Sequence, residues 1–132
     1  MRYNNFTITD KLGDFSTYQG GLFTPEHEKH NLTITIKNNK TGEKNTLHTT
    51  YQFAPKYTRF KNGDGILAIA LDALAYSSTG DFDSFCREFG YEGELLNGAR
   101  MAFNSCKKSY DFFMNAGLQE EDLSAIQERL DN

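Results

Sequence analysis

Residues 31–53, which read NLTITIKNNKTGEKNTLHTTYQF, decide the fold class of this chain. Apolar and polar residues alternate on both sides of a polar centre, as they do in strands with one buried face. The alternating positions are Leu32, Ile34 and Ile36 before that centre, and Leu47, Thr49, Tyr51 and Phe53 after it. Residues 38–43, NNKTGE, are typical of a turn because Asn and Gly tolerate positive φ angles. The stretch therefore predicts a β-hairpin, which Pro55 ends because proline has no N–H to donate.

The residues before the hairpin predict a short strand followed by loops. Residues 6–9, FTIT, alternate like a strand, whereas Gly13, the glycine pair at 20–21 and Pro25 predict a loop-rich segment. Two histidines in residues 26–30, EHEKH, could bind a metal if the segment were helical. Because Pro25 favours a loop, we expect an exposed polar loop here, with no metal site and no cofactor.

The hydrophobic period changes after residue 63, where apolar residues recur every three or four positions. Helices are predicted over about residues 64–77, between an N-cap at Asp81 and a C-terminal Gly90, over about residues 92–116, and from about Glu120 onward. The residues expected on the buried faces include Phe82, Phe85, Cys86, Phe89, Leu95, Ala99, Ala102, Cys106, Tyr110, Phe113, Leu123, Ile126 and Leu130. The longest apolar region, residues 66–75, is interrupted by Asp72.

Strands first and helices after is the order of an α+β fold. We predict an N-terminal antiparallel β-hairpin or small sheet packed on a C-terminal bundle of three to four helices. A chain of 132 residues has the size of one domain. That domain is expected to be mainly β and loops over residues 1–62 and mainly helical over residues 63–132.

The lengths of the apolar stretches and the spacing of the cysteines exclude some classes of protein. No apolar stretch approaches the ~20 residues of a membrane span, and no apolar signal region follows the N-terminus. The two cysteines, Cys86 and Cys106, have neither metal-site nor redox-motif spacing, so we expect both to be buried and reduced. A cytoplasmic protein fits these observations.

The charge is distributed unevenly along the chain. Residues 1–66 carry a net charge of +3 and residues 67–132 a net charge of −7. Acidic helices are often merely solvated, but such a half could also dock on a basic protein surface. The candidate protein-binding residues are Asp83, Glu88, Glu92, Glu94, Glu120, Glu121 and Asp122.

Two further patterns were considered as sites of chemistry. The carboxylates Asp81 and Asp83 could serve acid–base catalysis, but Asp81 suits an N-cap and no matching Lys or His accompanies the pair, so no enzyme is predicted. Residues 51–61 interleave aromatic rings with cations, as single-stranded nucleic-acid binders do. The candidate nucleic-acid-binding residues are Tyr51, Phe53, Lys56, Tyr57, Arg59 and Lys61. The acidic net charge of the chain, −4, favours the interpretation that these rings cover the core.

One block of the sequence resembles a family. Residues 71–76, LDALAY, and 82–91, FDSFCREFGY, resemble small phage and prophage proteins with a "DALAY…F..FC.EFGY" block. The Ala-x-x-x-aromatic-x-x-Cys pattern that follows in that family is matched by Ala99, Phe103 and Cys106. The resemblance covers about residues 31–113, and the chain departs from it at residues 92–94, EGE, where the family usually has an Asp-Ser pair.

The resemblance implies a mobile-element origin and no catalytic residues, since the family has none assigned. Small phage accessory proteins of this kind act by binding, and many block host defence nucleases. The expectation is therefore a phage-encoded anti-defence protein that inhibits a host nuclease complex, such as a CRISPR–Cas effector, in the cytoplasm of an infected bacterium. The alternative is a nucleic-acid-binding phage accessory protein.

Overall fold

The computed structural model describes residues 1–18, 27–53 and 59–131. In chain order the elements are β1 (Arg2–Tyr3), β2 (Phe6–Tyr18), β3 (His27–Asn38), β4 (Lys44–Phe53), α1 (Asp64–Thr79), α2 (Phe82–Phe89), a 3-10 turn (Gly93–Leu95), α3 (Leu96–Asn115) and α4 (Glu120–Asp131). A four-stranded antiparallel sheet followed by four helices confirms the predicted α+β class. None of the helices in these ranges is both long and apolar enough to cross a membrane.

The chain forms two compact units, which are described separately below. The sheet unit comprises Met1–Ile66 and therefore includes the first residues of α1. The helical unit comprises Leu67–Asn132. The sheet unit therefore carries the net charge of +3 and the helical unit the net charge of −7.

The predicted hairpin is formed by β3 and β4 in the sheet unit. Ile34 lies opposite Leu47, and the N–H of Asn38 donates to the carbonyl of Glu43 at 2.9 Å to close the turn. Gly42 in that turn has a φ of 77°, which a residue with a Cβ rarely adopts. The sheet order is β1-β2-β3-β4, so each strand pairs with its neighbours in sequence.

The prediction of a loop-rich segment before residue 31 is wrong for the part of that segment that the structure describes. Strand β2 continues to Tyr18 and β3 begins at His27, and the two pair on both sides of a register shift between Leu12 and Phe15. An irregularity of this kind accommodates Gly13 without ending the strand. The prediction of an exposed polar loop at residues 26–30 is also wrong. His30 lies in β3 and is buried, with its Nδ1 3.4 Å from the carbonyl oxygen of Gly13.

Strand β2 is tied to the start of α1 by one side chain. The carboxylate of Asp10 accepts hydrogen bonds from the backbone N–H groups of Gly63, Gly65 and Ile66, at 3.0, 2.9 and 3.2 Å. These groups would otherwise lack partners at the helix N-terminus. A Cβ on Gly65 would lie 2.7 Å from Cδ1 of Leu32, so a larger residue here would force the Leu32 side chain to move. The first turn of α1 is thereby held against the apolar face of the sheet.

The helical unit begins and ends its elements largely as the sequence predicts. Asp81 caps α2 by accepting the Ser84 N–H at 2.8 Å, and Gly90 ends it in the left-handed conformation with a φ of 74°. Phe85, Phe103 and Cys106 form a buried cluster, and Cys86 is also buried. Of the other predicted core residues, Ala99, Phe113, Leu123 and Ile126 are buried, whereas Phe82, Ala102, Tyr110 and Leu130 are partly exposed.

Two residues expected in this core are not buried. Phe89 is 48% exposed and Leu95 is 60% exposed. Phe89 is the last residue of the short helix α2, and Leu95 lies in the 3-10 turn, before the regular helix begins at Leu96. The predicted single helix over residues 92–116 is therefore wrong at its start, and its apolar stripe begins only at Ala99.

Candidate functional site

The helical unit contains a groove between α1, α2 and α3. Its volume is about 540 Å³. The lining residues are Asp72, Ala75, Phe85, Phe89, Tyr91, Ala102, Ser105 and Cys106. Most of this lining is aromatic or small and apolar, and its carboxylate comes from α1.

Aromatic rings form one wall of the groove. The ring of Phe85 is 4.9 Å from that of Phe89 and is stacked on Tyr91, with 5.7 Å between the centroids and 14° between the planes. Phe85 also meets Phe103 edge-on at 5.3 Å, which anchors the wall in the buried cluster. Phe85 is buried and Phe89 is half exposed, so the wall extends from the core to the surface.

Asp72 and Cys106 provide the polar chemistry of the groove. Burial raises the pKa of Asp72, and no hydrogen bond joins its carboxylate to the described part of the chain. Burial, and then the charge of Asp72, raise the pKa of Cys106 to about 12. The Cys106 thiol is therefore protonated at neutral pH and is a poor nucleophile. Both cysteines are free and buried, as the sequence predicts.

Exposed apolar side chains accompany the groove. Among the side chains whose exposure the structure describes, the large hydrophobic residues with high exposure lie in the helical unit: Leu71, Phe89, Leu95, Leu96 and Met101. Four of them fall in residues 88–101, which we name the α2–α3 segment. Glu88, Glu92 and Glu94 are exposed in the same segment. The segment thus combines apolar contact area with negative charge.

The other predicted acidic residues lie on two helices. Asp83 is exposed on α2, and Glu120, Glu121 and Asp122 form the first turn of α4. Two of these acids have partners within the chain. Glu120 accepts the Tyr110 hydroxyl at 2.5 Å, and this bond is the main cause that raises the pKa of Tyr110 to about 12. Asp122 accepts the Gln119 N–H at 2.7 Å, which caps α4.

The residues of the nucleic-acid alternative lie in the sheet unit or outside the described residues. Tyr51 is partly buried on β4, with its ring 5.4 Å from that of Phe60 in an edge-on arrangement. Burial, and then the charges of Asp64 and Asp10, raise the pKa of Tyr51. Phe53 is the last residue of β4, and Arg59 and Lys61 are exposed. Lys56 and Tyr57 lie outside the described residues.

The described residues contain no group of three or more His, Cys, Asp or Glu side chains that could hold a metal ion. In the segment considered for metal binding, His30 is buried in β3, and Glu26 lies outside the described residues. Asp81, considered for acid–base chemistry, is the N-cap of α2.

Comparisons with protein-family models, curated proteins and solved structures give no match for this chain. The groove is therefore known only from its own geometry. Sequence reasoning identified Phe85 and Cys106 as core residues but missed the groove that they line. One signal was present: Asp72 is a carboxylate inside the longest apolar region of the chain.

Proposed function

We propose that this chain is a binding protein whose contact surface is the α2–α3 segment. The observation that carries the proposal is the combination of Phe89, Leu95, Leu96 and Met101, all exposed, with exposed acids in one stretch of residues 88–101. Exposed apolar patches next to charged groups are typical of protein–protein interfaces, where apolar burial supplies affinity and charge supplies specificity.

The net charge supports a basic partner. The helical unit carries −7, and exposed Glu88, Glu92 and Glu94 lie among the apolar contacts. Protein surfaces that bind nucleic acid are positively charged. We propose that the partner is a host nuclease complex, such as a CRISPR–Cas effector, and that the chain is a phage-encoded anti-defence protein that occupies its nucleic-acid channel.

The groove supports binding in preference to covalent chemistry. Cys106 lines it as a protonated thiol, and Asp72 lies beside apolar walls. A nucleophilic cysteine requires the opposite, a lowered pKa next to a cation or helix N-terminus.

The test measures binding and inhibition of purified CRISPR–Cas effectors, with and without target DNA. The variant carries Glu88→Lys, Glu92→Lys and Glu94→Lys. Its matched control carries Asp14→Lys, Glu43→Lys and Asp131→Lys, which change the net charge equally at exposed positions elsewhere. Electrostatic steering predicts association slowed by about tenfold in the first variant, with dissociation changed less. Rising salt is expected to slow association of the wild type, because exposed charges are screened over about 8–10 Å.

Two results would contradict the proposal. If the control variant slows association as much as the first variant, only net charge matters and the α2–α3 segment is not the contact surface. If the wild type binds no defence complex but shifts single-stranded DNA or RNA in a gel, the nucleic-acid alternative replaces it.

A further inference from the structure

The Asp72 carboxylate is an acceptor without a donor. It is half-buried on α1 and lines the groove, and the described part of the chain gives it no hydrogen bond. Partial burial of a carboxylate disfavours its charged form, and a cation beside it offsets that cost. Asp10, a half-buried acid of β2, accepts backbone N–H groups from three residues. Asp72 therefore has an unfilled capacity for a positively charged donor that enters the groove.

The rings beside Asp72 suit the same class of ligand. Phe85, Phe89 and Tyr91 line the groove, and the face of an aromatic ring attracts cations. The same aromatic cluster already holds one guanidinium, since Cζ of Arg100 lies 3.7 Å from the centroid of the Phe82 ring. Phe82 packs against the buried cluster that contains Phe85. A ring wall and a carboxylate in one groove have the chemistry that an alkyl chain ending in a cation requires.

The size of the groove and the charge around it agree with that ligand. A volume of about 540 Å³ lies within the ~300–1,000 Å³ range of small-ligand pockets and is ample for one long side chain. Glu88 precedes the wall residue Phe89, and Glu92 follows the wall residue Tyr91. Both glutamates are exposed, so the segment that contributes these wall residues carries negative charge that favours a cationic ligand.

We infer that the groove receives an arginine or lysine side chain of the basic partner protein, whose alkyl stem packs on the aromatic wall and whose cation pairs with Asp72. The inference rests on the proposed function for the source of that side chain. Arginine fits best, because its guanidinium can stack on a ring and donate two parallel hydrogen bonds to a carboxylate.

The test titrates the whole, isotope-labelled chain with N-acetyl-arginine amide and follows the methyl signals of Ala75 and Ala102, which line the groove. N-acetyl-citrulline amide, which has nearly the same shape but no charge, is the matched probe. Asp72→Asn is the test variant, and Asp131→Asn removes one exposed charge from the end of α4 as a control. Phe89→Ala removes a half-exposed ring and is expected to leave the fold intact.

Arginine amide is expected to shift both methyl signals and to bind about tenfold more tightly than citrulline amide. Asp72→Asn is expected to weaken arginine binding about tenfold, Phe89→Ala to weaken it less, and Asp131→Asn to leave it within about twofold. Equal binding of the two probes, or unchanged binding by Asp72→Asn, would overturn the inference.

The inference and the proposed function fail in different ways. If a defence complex binds the wild type and Asp72→Asn equally well, the groove inference is wrong and the proposed function stands. If arginine amide binds in a manner that depends on Asp72 but no defence complex binds, the cation site stands and its source is not the proposed partner.

Discussion

Asp10 in the sheet unit and Asp72 in the helical unit are both half-buried carboxylates, but they differ in their partners. In the sheet unit, Asp10 is saturated by backbone N–H groups at the start of α1. In the helical unit, Asp72 has no donor and opens on an apolar groove. The first arrangement stabilises the fold. The second forms no hydrogen bond within the described residues, which is the reason to look for its role in binding.

Apolar side chains show the same contrast. Among the side chains whose exposure the structure describes, the highly exposed large hydrophobic ones belong to the helical unit. The sheet unit instead buries its alternating set, which includes Ile8, Leu32 and Ile34. Exposed apolar area is selected against in soluble surfaces unless it contacts something. The exposed apolar side chains of the helical unit are the ones on which the proposed contact surface rests.

The largest expected effect is a difference in stability between truncations of two phenylalanine rings on α2. Phe85→Ala should lower the free energy of unfolding by about 3–5 kcal/mol, because it removes a buried ring from the cluster with Phe103 and Cys106. Phe89→Ala should cost less than about 1 kcal/mol, since nearly half of that side chain is exposed. Chemical denaturation of both variants measures the two losses.

Phe85 and Phe89 thus provide a matched pair on one short helix. A large loss of stability in Phe89→Ala would show that this ring belongs to the core and would remove it from the proposed contact surface. A small loss together with weakened partner binding would sharpen the distinction between core and contact residues within the helical unit.

The next largest effect concerns Asp10, which holds the start of α1 in the sheet unit. Asp10→Ala should lower the free energy of unfolding by about 2–3 kcal/mol, because the N–H groups of Gly63, Gly65 and Ile66 lose a charged acceptor. Asp10→Asn keeps one acceptor oxygen and should lose less. Asp14→Ala, an exposed acid of the same strand, should stay within about 0.5 kcal/mol of the wild type.

Thermal or denaturant unfolding of these three variants decides the role of Asp10. If Asp10→Ala were as stable as Asp14→Ala, the carboxylate would not anchor α1, and its contrast with Asp72 would lose its basis.

The sequence predicted those features of the fold that depend on interactions between residues close together in the chain. The β3–β4 hairpin, the Asp81 cap and the left-handed Gly90 all follow from short-range rules of alternation, capping and chirality. The length of β2 did not follow, because a glycine such as Gly13 predicts the end of a strand, whereas here a register shift accommodates it. The Asp10 anchor joins residues more than fifty positions apart, which no local pattern reveals.

The site was harder to predict for a related reason. A helical period assigned Phe89 and Leu95 to a buried stripe, but period alone does not show where a short helix ends and its last residues face water. The net charges of the two halves did anticipate an acidic helical unit. The groove depends on how α1, α2 and α3 pack, which the sequence does not reveal. Its one sequence signal is Asp72, a carboxylate inside an apolar region.

The smallest expected effect is a gain in stability, whereas the other substitutions lower the free energy of unfolding. Asp72→Asn should raise the free energy of unfolding at about pH 7 by up to about 1 kcal/mol, because a neutral amide is less costly to bury than a carboxylate without a donor. Denaturation at several pH values measures this gain. A loss of stability at neutral pH would show that Asp72 has a stabilising partner.

The pH dependence of that gain follows from the raised pKa of Asp72. Below the ordinary value of 3.8 the carboxyl is protonated in both states, so the wild type pays no charge penalty. As the pH rises, the unfolded chain loses this proton first, and the wild type loses stability until the folded carboxyl has also ionised. The gain from Asp72→Asn should therefore be full at neutral pH and shrink as the pH falls through the raised pKa toward 3.8. A variant that stabilises the chain while weakening arginine binding would identify Asp72 as a residue retained for contact, since functional groups commonly reduce stability.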